Sequence, residues 1–354
     1  MNSKIRWLRE RMNGLDLQGM IISNPVNVRY LTNVEAEGKV LITRKENIII
    51  TDGRYLEHVH NTLTIDDEIV VMDSKDISLD DCENFFSFCE NVGFEENYVT
   101  YAEYKNFMHR YKINNLEETD FLIEKQRMLK DQLEITRIAR ACEITDACFE
   151  HLKQFIKVGQ TEKEIATEIQ KFFLENGAEG LAFETIVASG IHSSMPHAVP
   201  TDKKIEEGDT IVIDMGCKYK GYCSDMTRTV FAGFVPEEVK PIYDLVLKNQ
   251  EQTAEDLKEG ASIRTIAKMV EADFKLAGYD LLHSLGHGVG LEIHEFPYFS
   301  TKNDNTFKAN MIVTNEPGIY LPGEFGVRIE DTVQITKFGS INLTKSDKNY
   351  TIVG

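Results

Sequence analysis

The sequence predicts an α+β protein of two domains, in which a smaller α/β domain precedes a larger domain built on a mostly antiparallel sheet. Short strand-like and helix-like segments alternate up to about residue 125. Beyond that point helices and strands come in blocks, not in strict strand–helix–strand units, which is typical of α+β proteins. A chain of 354 residues is long enough for two domains. We place them at residues 1–125 and 126–354.

The first domain shows both periodicities in short segments. Runs rich in β-branched residues predict strands at "LQGMIIS", "KVLIT" and "NIIIT". Apolar residues at helical spacing predict helices at "SKIRWLRERM", "ISLDDCENFFSFCE" and "YAEYKNFMHRY". A small α/β domain follows from this alternation.

The second domain opens with a long helical pattern, "DQLEITRIARACEITDACFEHLKQFI". A second helix, "TEKEIATEIQKFFLENG", begins with the capping-box pair Thr161 and Glu164 and ends on Gly177. Two more helices are predicted near 237–257 and 262–277. Strands are predicted at "FETIVASG", "DTIVIDMGCKYKGYCSDMTRTVF", "NMIVTNEPGIYL" and "FGVRIEDTVQIT".

Composition excludes several classes of protein. No apolar run reaches the roughly 20 residues of a membrane span, and the charged start "MNSKIRWLRERM" has no signal-peptide core. The six cysteines form no CxxC pair, so we interpret them as reduced thiols of a cytoplasmic protein. A net charge of −19 argues against nucleic acid or an anionic membrane as partner.

Four acidic residues occur in segments that otherwise predict apolar strands. Asp214 interrupts "TIVIDMG", Asp225 follows "GYCS", Glu316 interrupts "MIVTNEPGIY" and Glu330 lies in "VRIEDTV". A carboxylate in such a strand is unfavourable unless it is paired or bound to a cation. A hairpin turn at "GCKYKGY" can return the second carboxylate beside the first.

Clustered carboxylates would repel one another, and most would be protonated at neutral pH. Two divalent ions remove this difficulty. With His287, which stands between two glycines, the donor set is four carboxylates and one imidazole. This oxygen-rich set suits Mn²⁺, with Co²⁺, Fe²⁺ or Zn²⁺ as alternatives. We attribute the glycines to close approach of the backbone to the ion.

Five motifs, in order, carry a resemblance to a known family: "IVIDMG", "CSDMTRT", "LGHGVGLEIHE", "TNEPGIY" and "GVRIED". The sequence resembles the dinuclear metallopeptidases of the pita-bread fold, which include aminopeptidase P, prolidase, methionine aminopeptidase and the metal-free creatinase. The resemblance covers the whole chain. It implies a creatinase-type N-terminal α/β domain and a C-terminal pita-bread catalytic domain.

The resemblance also implies a role for each motif residue. The metal ligands would be Asp214, Asp225, His287, Glu316 and Glu330. Of these, Asp225 and Glu330 would bridge the two ions. A metal-bridging hydroxide would attack the scissile carbonyl, and Glu316 would carry the proton toward the leaving nitrogen.

Further residues match substrate-binding positions of the family. His294 would hydrogen-bond the scissile carbonyl, His283 would line the pocket for the residue after it, and His197 would position substrate and help to move protons. Arg328 matches an arginine at the rim of the active site. The remaining histidines are interpreted as structural or exposed imidazoles: His58, His60, His109, His151 and His192.

The predicted activity is hydrolysis of the Xaa-Pro bond, at the N-terminus of peptides or in dipeptides, by a homodimer like the family's members. Some prolidases carry a basic residue just after the "HE-aromatic-P" turn, where this sequence has Tyr298. Tyrosine brings no charge for a dipeptide's carboxylate, although Arg328 can supply one, so we favour tripeptides and longer chains. The alternatives are methionine aminopeptidase and a catalytically inactive binding protein of the same fold.

Overall fold

The computed structural model describes residues 3–64 and 67–354 and divides the chain into two compact units, with the division between Arg127 and Met128. Within the described residues, no helix has both the length and the apolar character needed to cross a membrane. All six cysteines are free thiols.

The first unit has one mixed sheet of six strands in the order β4-β3-β2-β1-β5-β6. Strands β1, β2 and β3 pair antiparallel, whereas β4, β5 and β6 each pair parallel to a neighbour. The elements are α1 Ser3–Gly14, β1 Gly19–Ile22, α2 Pro25–Thr32, β2 Gly38–Thr43, β3 Asn47–Thr51, α3 Leu56–Thr62, β4 Val70–Asp73, α4 Leu79–Phe85, β5 Asn91–Phe94, α5 Tyr101–Arg110, β6 Asn115–Glu118 and α6 Leu122–Arg127.

The three predicted strands and three predicted helices of this unit are present, but the sequence did not indicate β4, β5, β6, α2, α3 or α6. Strands of four residues show too little alternation to be recognised. The helix predicted to run through "ENFFSFCE" ends earlier, at Phe85. There the backbone turns, and Cys89 donates its N–H to the carbonyl of Phe86, whose ring is buried.

The second unit contains four long helices and several small sheets. Its elements are α7 Gln132–Phe155, α8 Glu162–Glu175, β7 Gly180–Leu181, β8 Ile186–Ser189, a 3-10 helix Gly190–Ser194, β9 Thr210–Met215, β10 Cys217–Tyr219, β11 Tyr222–Cys223, β12 Met226–Ala232, α9 Lys240–Asp256, α10 Ile263–Leu276, β13 Gly286–Gly288, β14 Glu295–Phe299, β15 Ile312–Asn315, β16 Gly318–Leu321, β17 Phe325–Arg328, β18 Asp331–Ile335, β19 Ser340–Asn342 and β20 Thr351–Val353. The predicted α+β class is confirmed.

Two sheets dominate this unit, with orders β20-β12-β9-β8 and β14-β13-β15-β18-β19. Their neighbouring strands are antiparallel, as predicted, except that β20 runs parallel to β12. Apolar residues of α7 and α8 pack against the first sheet, and those of α9 and α10 form a core with the second. The predicted capping box at Thr161 and Glu164 begins α8.

The sequence suggested that all four acidic residues lie inside strands, but the structure places three of them between strands. Only Asp214 lies inside a strand, β9. Asp225 lies between β11 and β12, Glu316 between β15 and β16, and Glu330 between β17 and β18. At these breaks the ladder is interrupted, so a carboxylate can turn toward a shared space without displacing an apolar neighbour.

A cavity lined by carboxylates and histidines

All the predicted site residues line one cavity of about 820 Å³ in the second unit. They come from the ends or breaks of strands β9 to β18 and from the loop after β8. These residues are His197, Asp214, Asp225, His283, His287, His294, Tyr298, Glu316, Arg328 and Glu330.

Three of the predicted ligands form a compact buried group. Potential ligand atoms of Asp225, His287 and Glu330 all lie within 4.8 Å of one another. The Nε2 atom of His287 is 3.6 Å from Oδ2 of Asp225 and 3.4 Å from Oε1 of Glu316. Four of the five predicted ligands therefore surround one small space.

The fifth predicted ligand, Asp214, has an oxygen that the protein leaves without a partner. Its Oδ2 accepts a hydrogen bond of 2.7 Å from Nη2 of Arg328. Its Oδ1 is buried and finds no hydrogen-bond partner in the described part of the chain. Because an unsatisfied buried acceptor is unfavourable, this oxygen suits a bound cation.

The pKa shifts of the buried carboxylates also favour a bound cation. Burial, followed by repulsion from neighbouring carboxylates, raises the pKa of Asp225 and of Glu330 well above the ordinary values. Burial also raises the pKa of Glu316. Divalent cations among these groups would offset their repulsion and restore the charged form.

The imidazole of His287 has the protonation state and tautomer that a metal ligand requires. Burial lowers its pKa, which favours the neutral ring that binds metal. Its Nδ1 lies 3.1 Å from the carbonyl oxygen of Gly288, so Nδ1 carries the proton. The lone pair is then on Nε2, which faces the carboxylates. Together with the oxygen donors, this geometry fits a site for divalent cations.

The glycines around His287 lie in tight contact with the two neighbouring strands. A Cβ atom on Gly286 would lie 2.1 Å from the carbonyl oxygen of Thr314, and one on Gly288 would lie 2.2 Å from that of Phe296. The glycines thus allow β13 to pack between β14 and β15. Close packing of strands is sufficient to explain them.

Two threonines support the predicted ligands and were missed by sequence reasoning. Thr314 accepts a hydrogen bond from the N–H of His287 and donates to Oε1 of Glu316 over 3.1 Å. Thr227 donates to Oε2 of Glu330 over 2.6 Å. Spacing offered a signal for Thr314, which lies two residues from Glu316, where side chains of extended backbone share a face. Thr227 supports a carboxylate 103 residues away, and no local pattern pairs them.

The predicted substrate histidines line the same cavity with different exposure. His294 and His197 are exposed, and the rings of His294 and His287 meet edge to face with centroids 4.3 Å apart. His283 is half-buried, and its Nε2 lies 3.0 Å from the hydroxyl of Tyr320. Burial lowers the pKa of His294 and of His283.

Arg328 lies deeper than predicted. Its side chain is 3% exposed, so it is not at the rim of the site. Its Nη1 donates to the hydroxyl of Tyr320 over 2.7 Å and its Nε to Oγ1 of Thr227 over 2.9 Å, in addition to the pair with Asp214. A lone arginine in a strand gives no sequence signal of these distant partners. Tyr298, in contrast, is 49% exposed.

Known proteins resemble both units of the chain. Residues 136–337 match metallopeptidase family M24, and residues 4–129 match the creatinase/prolidase N-terminal domain. An Xaa-Pro dipeptidase of Pyrococcus horikoshii is 35% identical over 353 residues, which cover 98% of each chain.

Solved structures show the same likeness along the whole chain. An Xaa-Pro dipeptidase from Bacillus anthracis superimposes with a TM-score of 0.94 at 35% identity, covering 99% of each chain. An X-Pro aminopeptidase from Thermotoga maritima superimposes with a TM-score of 0.89 at 33% identity, covering 97% of this chain and 100% of the other.

Proposed function

The chain belongs to metallopeptidase family M24, and from this premise we propose that it hydrolyses the Xaa-Pro bond at the N-terminus of peptides or in Xaa-Pro dipeptides. The observation that carries the proposal is the single cavity in which the five predicted ligands meet the three predicted substrate histidines. The names of the relatives from Pyrococcus horikoshii, Bacillus anthracis and Thermotoga maritima support the substrate class.

The ligand set would hold two divalent ions, for which we propose Mn²⁺. The residues that would hold them are Asp214, Asp225, His287, Glu316 and Glu330, and the family resemblance assigns the shared positions to Asp225 and Glu330. Ions of this kind lower the pKa of a water and polarise a carbonyl. The partnerless oxygen of Asp214 and the raised pKa values of three carboxylates support the assignment.

The chain's own residues handle the substrate and the proton. Glu316 is placed to accept a proton from the attacking water and to deliver it to the leaving nitrogen. His294, exposed to the cavity and beside His287, is placed to donate a hydrogen bond to the scissile carbonyl as charge develops on it. His197, which lines the same cavity, would hold the substrate.

Two other activities have less support. Methionine aminopeptidase activity would not explain relatives named for Xaa-Pro substrates over their whole length. An inactive binding protein would have no need for five intact donors around a partnerless buried oxygen. We therefore retain the Xaa-Pro peptidase.

For substrate length we propose a preference for tripeptides and longer peptides. A dipeptide presents its carboxylate close to the scissile bond, where a bidentate arginine is the best partner. Arg328 already binds Asp214, Tyr320 and Thr227, and Tyr298 carries no charge. A cavity of about 820 Å³ leaves room for residues after the proline.

We expect kcat/KM with Mn²⁺ to be higher for Ala-Pro-Ala than for Ala-Pro. The carboxylate of a dipeptide would lie near Arg328, whose donors are already bound to Asp214, Tyr320 and Thr227, whereas a tripeptide carries its carboxylate beyond this position. Both rates are measured on the same preparation, with Ala-Ala-Ala as the control for the proline requirement. A dipeptide preferred by about tenfold or more, equivalent to about 1.4 kcal/mol of transition-state binding, would make this protein a prolidase.

We also propose a cytoplasmic homodimer that binds neither nucleic acid nor membranes. Six free thiols suit a reducing compartment, and the net charge of −19 disfavours polyanionic partners. The family resemblance supports the dimer. We propose further that residues 1–125 form the creatinase-type domain and residues 126–354 the catalytic domain. The compact division after Arg127 supports a boundary in this region.

A further inference from the structure

The loop that carries His197 buries little apolar surface. This segment, residues 190–200, is called the His197 loop here; it follows strand β8 and precedes Thr201. Ile191, Met195 and Val199 have exposed fractions of 57%, 48% and 76%, and of the apolar side chains only the small one of Ala198 is buried. Polar contacts therefore account for much of what holds its conformation.

Both ends of the His197 loop are bound to one buried carboxylate, that of Glu162 in the first turn of α8. Glu162 is 0% exposed. Its Oε1 accepts from the N–H and the hydroxyl of Ser189, both over 2.8 Å. Its Oε2 accepts from the N–H of Thr201 over 3.0 Å and from the hydroxyl over 2.7 Å. Glu162 thus brings the two ends of the loop together.

A residue inside the loop binds the same carboxylate. Nδ1 of His192 lies 3.1 Å from Oε1 and 3.2 Å from Oε2 of Glu162. Because an ionised carboxylate can only accept, Nδ1 is the donor. Burial acts to raise the pKa of Glu162, but hydrogen bonds from Thr201 and Ser189 hold it below its ordinary value. Five donors thus converge on a group that stays ionised.

The middle of the loop is attached to the strand that carries Arg328. The N–H of Gly326 donates to Oγ of Ser193 over 2.9 Å. Nη1 of Arg328 donates to the carbonyl oxygen of Pro196, the residue before His197, over 3.3 Å. His197 itself is exposed to the cavity. With the ends of the loop bound to Glu162, these contacts hold the backbone from which the His197 side chain extends.

We propose that Glu162 is a positioning residue, which acts through the His197 loop to hold the His197 imidazole in reach of the substrate. This inference depends on the role given to His197 in the proposed function. Glu162 contributes no atom to the lining of the cavity, so its effect on catalysis would be indirect. A network of Ser189, His192 and Thr201 transmits it.

The test is a double-mutant cycle of Glu162→Gln and His197→Ala, measured as kcat/KM on Ala-Pro-Ala with Mn²⁺. The glutamine has the same shape, but its amide group faces hydrogen-bond donors, so some of the five lose their acceptor. We expect Glu162→Gln to lower kcat/KM about tenfold or more, as misplacement of a binding group does. In the His197→Ala background the same change should cost less than about twofold, because the group being positioned is gone.

The matched control is Glu168→Gln on the same helix. Glu168 also has a histidine partner, with its Oε1 2.8 Å from Nε2 of His151, but it binds no residue of the loop in the contacts described. Glu168→Gln should keep wild-type kcat/KM. Equal losses from Glu162→Gln in both backgrounds would overturn the proposal, because they would show an effect independent of His197.

A second measurement does not depend on activity. Amide hydrogen exchange in residues 190–200, without substrate, should be faster in Glu162→Gln than in wild type, and unchanged exchange would overturn the proposal. If Glu162→Gln does not fold, Thr201→Val removes one donor and should shift both measurements in the same direction by a smaller amount. Wild-type protein that cleaves no Xaa-Pro peptide would refute the proposed function, while the exchange comparison would still decide how the loop is anchored.

Discussion

Replacement of Glu316 by alanine should lower kcat by about 10²–10⁴-fold or more, the range for loss of a general base. Glu316 lies 3.4 Å from His287 and is held by Thr314, so its carboxylate serves both as a predicted ligand and as the predicted proton carrier. Asp225→Ala should be equally severe, because it removes a predicted bridging ligand. Turnover of Ala-Pro-Ala with Mn²⁺ is the measurement.

Glu324→Ala provides the control, because Glu324 is exposed in the turn between β16 and β17 and should tolerate the change. The metal content of each variant separates loss of the ion from loss of the base. If Glu316→Ala kept more than about a tenth of wild-type kcat, Glu316 would not be the general base.

Removal of metal with EDTA should lower the melting temperature, and Mn²⁺ should restore it. The unfolded chain cannot bring together donors from separate strands, so bound ions stabilise only the folded form. An ion at a hundred times its dissociation constant contributes about 2.7 kcal/mol, which corresponds to about 5–11 °C for a unit of this size. Differential scanning calorimetry on the full chain measures the shift.

Asp225→Asn is the matched variant for this experiment. The amide has the shape of the carboxylate but cannot bridge two cations, so most of the Mn²⁺-dependent shift should disappear. The variant also removes one of the carboxylates that repel one another in the metal-free protein. An identical shift in wild type and variant would place the stabilising ion elsewhere, and the absence of any shift would count against a preformed site.

The predicted ligands could be located from the sequence because each lies in a short, contiguous motif. His287 stands between the glycines of "LGHGVG", a motif of the family that the sequence resembles, and Asp214 and Glu330 are unusual because they interrupt segments with the apolar pattern of strands. The sequence could not predict the backbone conformation around these residues. Asp225, Glu316 and Glu330 lie where one strand ends and the next begins. In the sequence they resemble strand residues, because one or two irregular residues do not disturb the alternation of apolar and polar side chains.

The sequence could not identify residues whose contacts are with distant parts of the chain. In "TEKEIA", Glu162 looks like an ordinary acidic residue of a helix's first turn, where such residues are common. Its hydrogen-bond partners lie 27 to 39 residues away, and no sequence pattern indicates that they bind Glu162. The depth of Arg328 was unpredictable for the same reason, because its partner Asp214 is 114 residues away.

The spread of the predicted ligands from β9 to the start of β18 affects how the protein acquires its ions during synthesis. Two helices, α9 and α10, separate the first two donors from His287, and Glu330 comes only just before β18. Contacts between such distant segments form late, because closing long loops has an entropic cost. A chain still emerging from the ribosome would offer an incomplete set of donors. Metal binding is therefore expected to follow folding of the second unit, and a bound ion would indicate that this unit has folded completely.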